Sequence, residues 1–236
     1  MKCFYDLHIH SALSPCGDID MTPNNIANMA YIKGLDFIAL TDHNSILNIQ
    51  AILKCSESLP LEIIPGMEIE SSEEVHVLTL FPTLDDAQNA YEEVKKNQLG
   101  IKNKPEIFGK QIIYDEYDQI KGVEEELLVN ATKLSIKKIK EMVESYNGIA
   151  IPAHIDRNSY SVLSNLGNIP DIGFNTVEIS KNAHFNEFSY LNLNIIRNSD
   201  AHYLEDISER ENFIELEEKS ILCLLNKINE KILKKL

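Results

Sequence analysis

At 236 residues with 44% apolar content, the chain can bury one sizeable core and needs no second domain. A formal net charge of −15 argues against tight, sequence-independent binding to long duplex DNA, which depends on many cationic contacts to phosphate, but leaves a small anionic substrate open if bound metal ions make a pocket locally positive. No apolar run of about 18 residues offers a membrane span and no basic leader with a cleavage site opens the chain, so a cytoplasmic protein away from membranes is expected.

In chain order, residues 3–7 read as a short buried strand, and Met21-Thr22-Pro23 caps and opens a helix to about Lys33 that Gly34 ends. A strand at 37–41 follows, then a helix from Asn44 or Ser45 to about Ser58. Segments 61–69 and 75–81 read as two strands joined directly by a polar turn, Glu70-Ser71-Ser72-Glu73-Glu74. Helical patterns are expected at 84–97, 115–130 and 135–146, a strand at 149–153, a helix at 161–166, a strand at 176–179, a helix near 185–191 and a strand at 193–199. Residues 217–236 form an amphipathic final helix. Strands alternating with helices predict an α/β domain with a parallel sheet over 1–236, and ligand-type residues at many successive strand ends predict closure into a barrel. The charged stretch 84–146 contains no expected ligand; it is read as a helical insertion, packed on the barrel or acting as a lid.

The side chains at the strand ends carry the chemistry. His8-Ile9-His10, His43, Glu68, His76, His154 and Asp200-Ala201-His202 follow the apolar runs, and six of the seven histidines fall in the set. Alternation along a strand points His8 and His10 to one side and Ile9 to the other, and Asp200 and His202 repeat the arrangement. A lone H-x-H is a weak signal, but the joint pattern is that of a metallohydrolase. The four cysteines, Cys3, Cys16, Cys55 and Cys223, form no C-x-x-C pair and are read as reduced thiols, with Cys16 alone near the chemistry.

These residues resemble the polymerase and histidinol phosphatase (PHP) family of metal-dependent phosphoesterases. Asp6-Leu7-His8-Ile9-His10-Ser11 is similar to its first motif and Leu40-Thr41-Asp42-His43-Asn44 to its second. A third motif usually reads Ser-Asp-Gly shortly before Thr-Pro; here it is Ser14-Pro15-Cys16-Gly17-Asp18-Ile19-Asp20-Met21-Thr22-Pro23. Counting back from Thr22 assigns Asp18, with Cys16 and Asp20 as competitors. The resemblance implies a distorted TIM-like (β/α)7 barrel and two to three divalent ions, zinc, manganese or iron. It implies that His8, His10, Glu68 and Asp200 hold one ion, that Glu68 bridges to a second held by His76 and His154, and that Asp18, His43 and His202 hold a third. Glu68, Asp200 and His202 then carry catalysis, in which a metal-activated hydroxide attacks phosphorus.

Phosphate also calls for a cation outside the metals. Arg157, three residues after His154, matches a position at which family members contact substrate phosphate, and Lys181, past the 176–179 strand, is a second candidate. Asp42 is expected to orient an imidazole rather than bind metal, and His184 to lie in a loop. The expected substrate is a phosphate monoester or the terminal phosphodiester of a nucleotide or short oligonucleotide, with histidinol phosphate the alternative. An amidohydrolase-type barrel is disfavoured by a glutamate, Glu68, where a modified lysine is usual. A non-catalytic module of a polymerase is disfavoured by the full ligand set.

Overall fold

A computed structural model describes residues 1–231. In chain order its elements are β1 (Lys2–Ile9), α1 (Pro23–Ile32), β2 (Phe37–Leu40), α2 (Ile49–Cys55), β3 (Glu62–Glu70), β4 (His76–Leu80), α3 (Leu84–Lys96), the single turn α4 (Pro105–Phe108), β5 (Ile112–Tyr114), β6 (Ile120–Val123), α5 (Ile136–Ser145), β7 (Ile149–Pro152), α6 (Val162–Leu166), β8 (Thr176–Ser180), β9 (Asn194–Asn198), β10 (Phe213–Glu215) and α7 (Ile221–Ile228). Short 3-10 turns lie at Phe185–Leu191 and Leu204–Asp206. The helices start where the sequence supplies a cap. Thr22, Thr83, Ser135, Ser161 and Ser220 each accept a hydrogen bond from a first-turn amide, and Pro23 opens α1. The last helix covers Ile221–Ile228, shorter than the expected 217–236, of which 232–236 lie outside the described residues.

One sheet runs β10-β1-β2-β3-β4-β7 and a second pairs β8 with β9. Backbone bonds carry the curl round between them: the Ile155 amide donates to the Glu178 carbonyl at 2.9 Å, and Ile9 bridges to Ala201 just past β9. Seven strands, β1 to β4 and β7 to β9, thus wrap a common interior, the distorted barrel that the ligand pattern implied. The sheet is not wholly parallel as expected. β1, β2 and β3 run parallel, as do β8 and β9, but β4 is antiparallel to both β3 and β7. The five-residue link from β3 to β4 is tied by Ser71 Oγ to the Glu73 and Val75 amides, too short for a parallel crossover. β10, absent from the sequence reading, pairs antiparallel with β1.

Strand alternation divides the core into an outer layer under the helices and an interior column. Ile38, Ile63, Met67, Val77 and Val177 face outward against α1, α2, α3 and α5. Phe37, Ala39, Ile64, Leu78, Ile151 and Ile196 fill the interior, closed at one end by Leu224, Leu225 and Ile228 of α7. In β1 the parity breaks: Leu7 belongs to the interior and Ile9 to the outer layer, because the β1–β2 register shifts between Asp6 and Ile9. That bulge re-aims the chain so that His8 and His10 follow Leu7 into the barrel mouth.

Residues 115–130, expected to be helical, contain no helix; 115–123 form the turn and second strand of a β-hairpin of β5 and β6. Asp115 Oδ1 accepts from the Tyr117 and Gln119 amides, and Asp118 takes a left-handed backbone (φ 57°), so the charge run closes a turn. Of the insertion only α3 and α5 are substantial helices; both pack on the outer layer through Ala87, Ala90, Tyr91 and Val94, and through Ile136, Ile139 and Val143. The intervening chain lies against the 11–18 loop. A Cβ on Gly109 (φ 97°) would stand 2.2 Å from the Pro15 carbonyl oxygen, so this approach demands glycine.

Candidate metal centre

The interior column changes from apolar to polar at the barrel mouth, in register on successive strands. Ile64 in β3 is followed at i+4 by Glu68; Leu78 in β4 is preceded by His76; Phe37 and Ala39 lead to His43; Ile196 leads to Asn198 and Asp200. His154 and Asp200 hold left-handed backbones (φ 27° and 53°), as does Asn44 beside His43 (φ 47°). Positive φ in non-glycine residues costs energy and clusters where a site dictates side-chain direction. Asn44 is held by donating to the Leu128 and Asn130 carbonyls and accepting from the Glu70 amide.

Glu68, 1% exposed, sits at the centre. Its Oε1 lies 2.9 Å from His76 Nδ1, 3.0 Å from His154 Nε2 and 3.4 Å from His8 Nε2; its Oε2 lies 3.1 Å from His43 Nδ1 and 3.4 Å from His10 Nε2. Asp200 Oδ1 is 3.0 Å from His10 Nε2 and 3.4 Å from His8 Nε2. Donor atoms converge in three groups: His8, His10, Glu68 and Asp200; His43, Glu68 and His76; and His10, His43 and His202. Of the nine expected ligands, seven fall in these groups, and His154 joins them through its 3.0 Å contact with Glu68 Oε1. Asp18 is not among the converging groups: its Oδ1 accepts from the Asp20 amide at 2.9 Å in a tight turn.

The imidazoles are oriented from behind. His8 Nδ1 donates to Glu178, a buried carboxylate that also accepts from the His154 amide and Asn198 Nδ2. His10 Nδ1 faces Ser14 Oγ at 2.9 Å, and Ser14 donates to Asp42 Oδ1 at 2.7 Å, so Asp42 acts on His10 through a hydroxyl and not on its neighbour His43. His202 Nδ1 donates to the Asp200 carbonyl at 2.9 Å, which leaves Nε2 as its free donor. Glu178 went unread in the sequence, although a carboxylate inside the apolar strand Thr-Val-Glu-Ile-Ser was a visible signal.

The donor set fits divalent cations. With Nδ1 of His8 and His10 engaged by Glu178 and Ser14, their Nε2 lone pairs face each other at 3.1 Å, an arrangement that a shared cation relieves. Buried His154 Nδ1 has no hydrogen-bond partner, and His43 Nδ1, His76 Nδ1 and Asp200 Oδ1 make no well-directed hydrogen bond although each lies within 3.1 Å of another candidate ligand. Electrostatics point the same way. Burial opposes the charge on Glu68, yet His76, His8 and His43 hold its carboxyl well below the usual carboxylate range. Asp200, likewise buried, is held low by His8 and His10. Burial opposes charge on His8 too, but Glu178, Asp200 and Glu68 keep it well above the ordinary value; Glu68 and Glu70 push His76 up to about 9 against the same penalty. Burial and then the neighbouring His10 push His202 down to about 4.

Around the cluster, Arg157 Nη1 reaches Asp200 Oδ2 at 2.6 Å with its side chain 43% exposed. Lys181 is not brought to the cluster; it pairs on the surface with Asp206 at 3.2 Å. His184 lies exposed in a loop, as expected. A cleft of about 520 Å³ adjoins the centre, lined by Glu70, Leu99, Asn130, Asn158 and Tyr160, and the Tyr160 ring stacks on His76 with centroids 4.9 Å apart. Among the described residues no helix is long and apolar enough to cross a membrane.

The fold is similar to that of the lesion-specific endonuclease PfuEndoQ from Pyrococcus furiosus (TM-score 0.71, 22% identity), covering 97% of this chain and 56% of that one. It also resembles an amidohydrolase from Chromobacterium violaceum (TM-score 0.57, 17% identity), with 98% of both chains covered. In sequence, a 79-residue stretch is 33% identical to a 5'-3' exoribonuclease of Haemophilus influenzae, spanning 32% of this chain and 28% of that protein. Residues 6–166, more than half of the chain, match the PHP domain, and the chain belongs to that family.

Proposed function

We propose that this chain is a metal-dependent phosphoesterase that releases a terminal phosphate or terminal nucleotide from a nucleotide or short oligonucleotide. The observation that carries the reading is the convergence of Glu68 and Asp200 with five imidazoles at the barrel mouth, with His154 against Glu68 and a half-exposed arginine beside them. His8, His10, Glu68 and Asp200 would hold one ion, Glu68 with His76 and His154 a second, and His43 and His202 a third, to which the family pattern adds Asp18. Bound divalent ions supply Lewis acidity toward phosphoryl oxygens and acidify a water molecule. Glu68 offers each oxygen to a different set of imidazoles, the disposition of a bridging carboxylate. Its depressed pKa, like that of Asp200, keeps it anionic at neutral pH, and His202 stays neutral with Nε2 available. Arg157, already salt-bridged to Asp200, presents its remaining donors to solvent and is placed to take a phosphate oxygen. The Tyr160 cleft, with amide side chains at its rim, suits a base.

The likeness to a lesion-specific endonuclease favours a second reading, internal cleavage at a damaged site, although the chain spans only 56% of that protein. Metal-loaded protein would be assayed on nucleoside bisphosphates, a short 5'-phosphorylated RNA, histidinol phosphate, circular single-stranded DNA and a duplex with an abasic site. Release from linear ends with the circle intact is expected. Cutting of the circle or within the abasic duplex would replace the end-directed reading, and activity indifferent to chelation would remove the metal-dependent one.

A further inference from the structure

The third group of donors is unlike the other two. His10, His43 and His202 converge without a carboxylate, and His10 Nε2 also faces Asp200 and Glu68 of the first group, so His43 and His202 remain as neutral donors for an ion there. Neutral imidazoles alone can hold a dication, but an anionic partner strengthens such a site. Asp18 does not supply it, since its carboxylate is folded back on the Asp20 amide. Cys16 comes up to one member of the group: its Sγ is 3.1 Å from His202 Nε2, the nitrogen left free once Nδ1 has donated to the Asp200 carbonyl.

The loop that carries Cys16 is shaped to keep it there. Successive turns run from the Ser14 amide to the Ser11 carbonyl and from the Gly17 amide to the Ser14 carbonyl, and the Asp18 amide donates to the carbonyl of His202 itself at 2.9 Å. A Cβ on Gly17 would meet the Ser11 carbonyl oxygen at 2.3 Å, so the residue after Cys16 must be glycine for the loop to fold this tightly. Beside this site, His43 Nδ1 and Asp200 Oδ1 are buried, with side chains 7% and 6% exposed, and make no well-directed hydrogen bond although they face Glu68 Oε2 at 3.1 Å and His10 Nε2 at 3.0 Å. Buried donors crowded together without hydrogen bonds, next to a thiol and a free imidazole nitrogen, point to a ligand that the thiol helps to hold.

We propose that Cys16, rather than Asp18, is the anionic donor of the third metal position, with His43 and His202, and that this position therefore prefers a thiophilic ion such as zinc over magnesium or manganese. The inference rests on the metal-dependent reading of the centre. On binding, the thiol proton leaves to solvent and the sulfur lone pair passes to the ion; no oxidant or second substrate is involved. The same coordination would shield Cys16, the exposed cysteine of the four, from alkylation.

Cobalt(II) is the probe, added to the chelator-stripped full chain and to its C16S and D18N variants, with ions per chain counted and absorption recorded. A sulfur-to-cobalt charge-transfer band is expected in the parent and in D18N. C16S is expected to lack it and to hold its last ion at least ~10-fold more weakly. In parallel, zinc but not magnesium should slow alkylation of the Cys16 peptide in the parent chain. A band that survives in C16S, D18N losing an ion that C16S keeps, or alkylation of Cys16 unaffected by zinc would each overturn the assignment. If ions bind and phosphoester hydrolysis proceeds while parent and C16S spectra coincide, only Cys16 is removed; if no ion binds after reconstitution, the metal-dependent reading falls with it.

Discussion

Glu68 concentrates more of the site's electrostatics than any neighbour, because five imidazole nitrogens lie within 3.4 Å of its two oxygens. Glu68→Gln keeps the shape but removes the anion, and kcat is expected to fall by at least ~10² with fewer ions bound per chain; near-normal turnover would take Glu68 out of the centre. Arg157 offers the complementary case. On the proposed reading, in which Arg157 takes a phosphate oxygen and holds no ion, Arg157→Ala should lower kcat/KM by roughly 10 to 100-fold while ion content stays unchanged. The histidines set a pH signature in the metal-free chain. His76 is pushed up to about 9 from an ordinary 6.5, and His8 and His10 are also raised above 6.5, so the stabilising charge of all three is full below 6.5 and that of His76 is lost as pH rises through about 9. His43 and His202, shifted down, act below 6.5 and leave this window alone. Chelated protein should therefore lose Tm between pH 6.5 and 9, while zinc-loaded protein, whose donors must be neutral, should not; scanning calorimetry of both forms decides.

Most candidate ligands were legible in the sequence because they follow a strand-length apolar run, and a strand delivers its last residues to one end of a barrel; His76 instead opens β4, which runs the opposite way. The elements obscured what bends. In β1 strict alternation would set Leu7 and His8 on opposite faces; only the bulge between Asp6 and Ile9, which no residue type announces, brings both inward. Asp18 was chosen by counting from Thr22, and counting cannot register that Gly17 folds the loop back on Ser11 and carries Cys16 toward His202. The 115–130 hairpin was hidden by acidic residues that satisfy a helical pattern as readily as they close a turn. Glu178 marks the reverse case, a charge in a buried strand whose position alone predicted a partner. Its carboxylate fixes His8, so Glu178→Ala is expected to weaken zinc binding by ~10 to 100-fold in a competition titration with a chromophoric chelator. Unchanged affinity would show that His8 needs no such support.

At the scale of the molecule, the barrel separates what holds it together from what it does. Phe37 lies toward the closed end and the donors occupy the mouth, so Phe37→Ala is expected to cost about 3–5 kcal/mol of unfolding free energy, read from urea curves, without altering ions bound per chain. A coupled loss of both would mean that the two ends are not separable.

Gly109 seated under Pro15 joins the chain between α3 and α5, which also lines the Tyr160 cleft through Leu99 and Asn130, to the loop beneath the third metal position. Two binding events then share one mechanical element, and thermodynamic reciprocity fixes the outcome. Whatever factor zinc adds to the affinity of a nucleotide analogue in the cleft, the analogue must add to the affinity for zinc, and a Gly109→Ala chain, unable to close on Pro15, would bind both ligands as strangers.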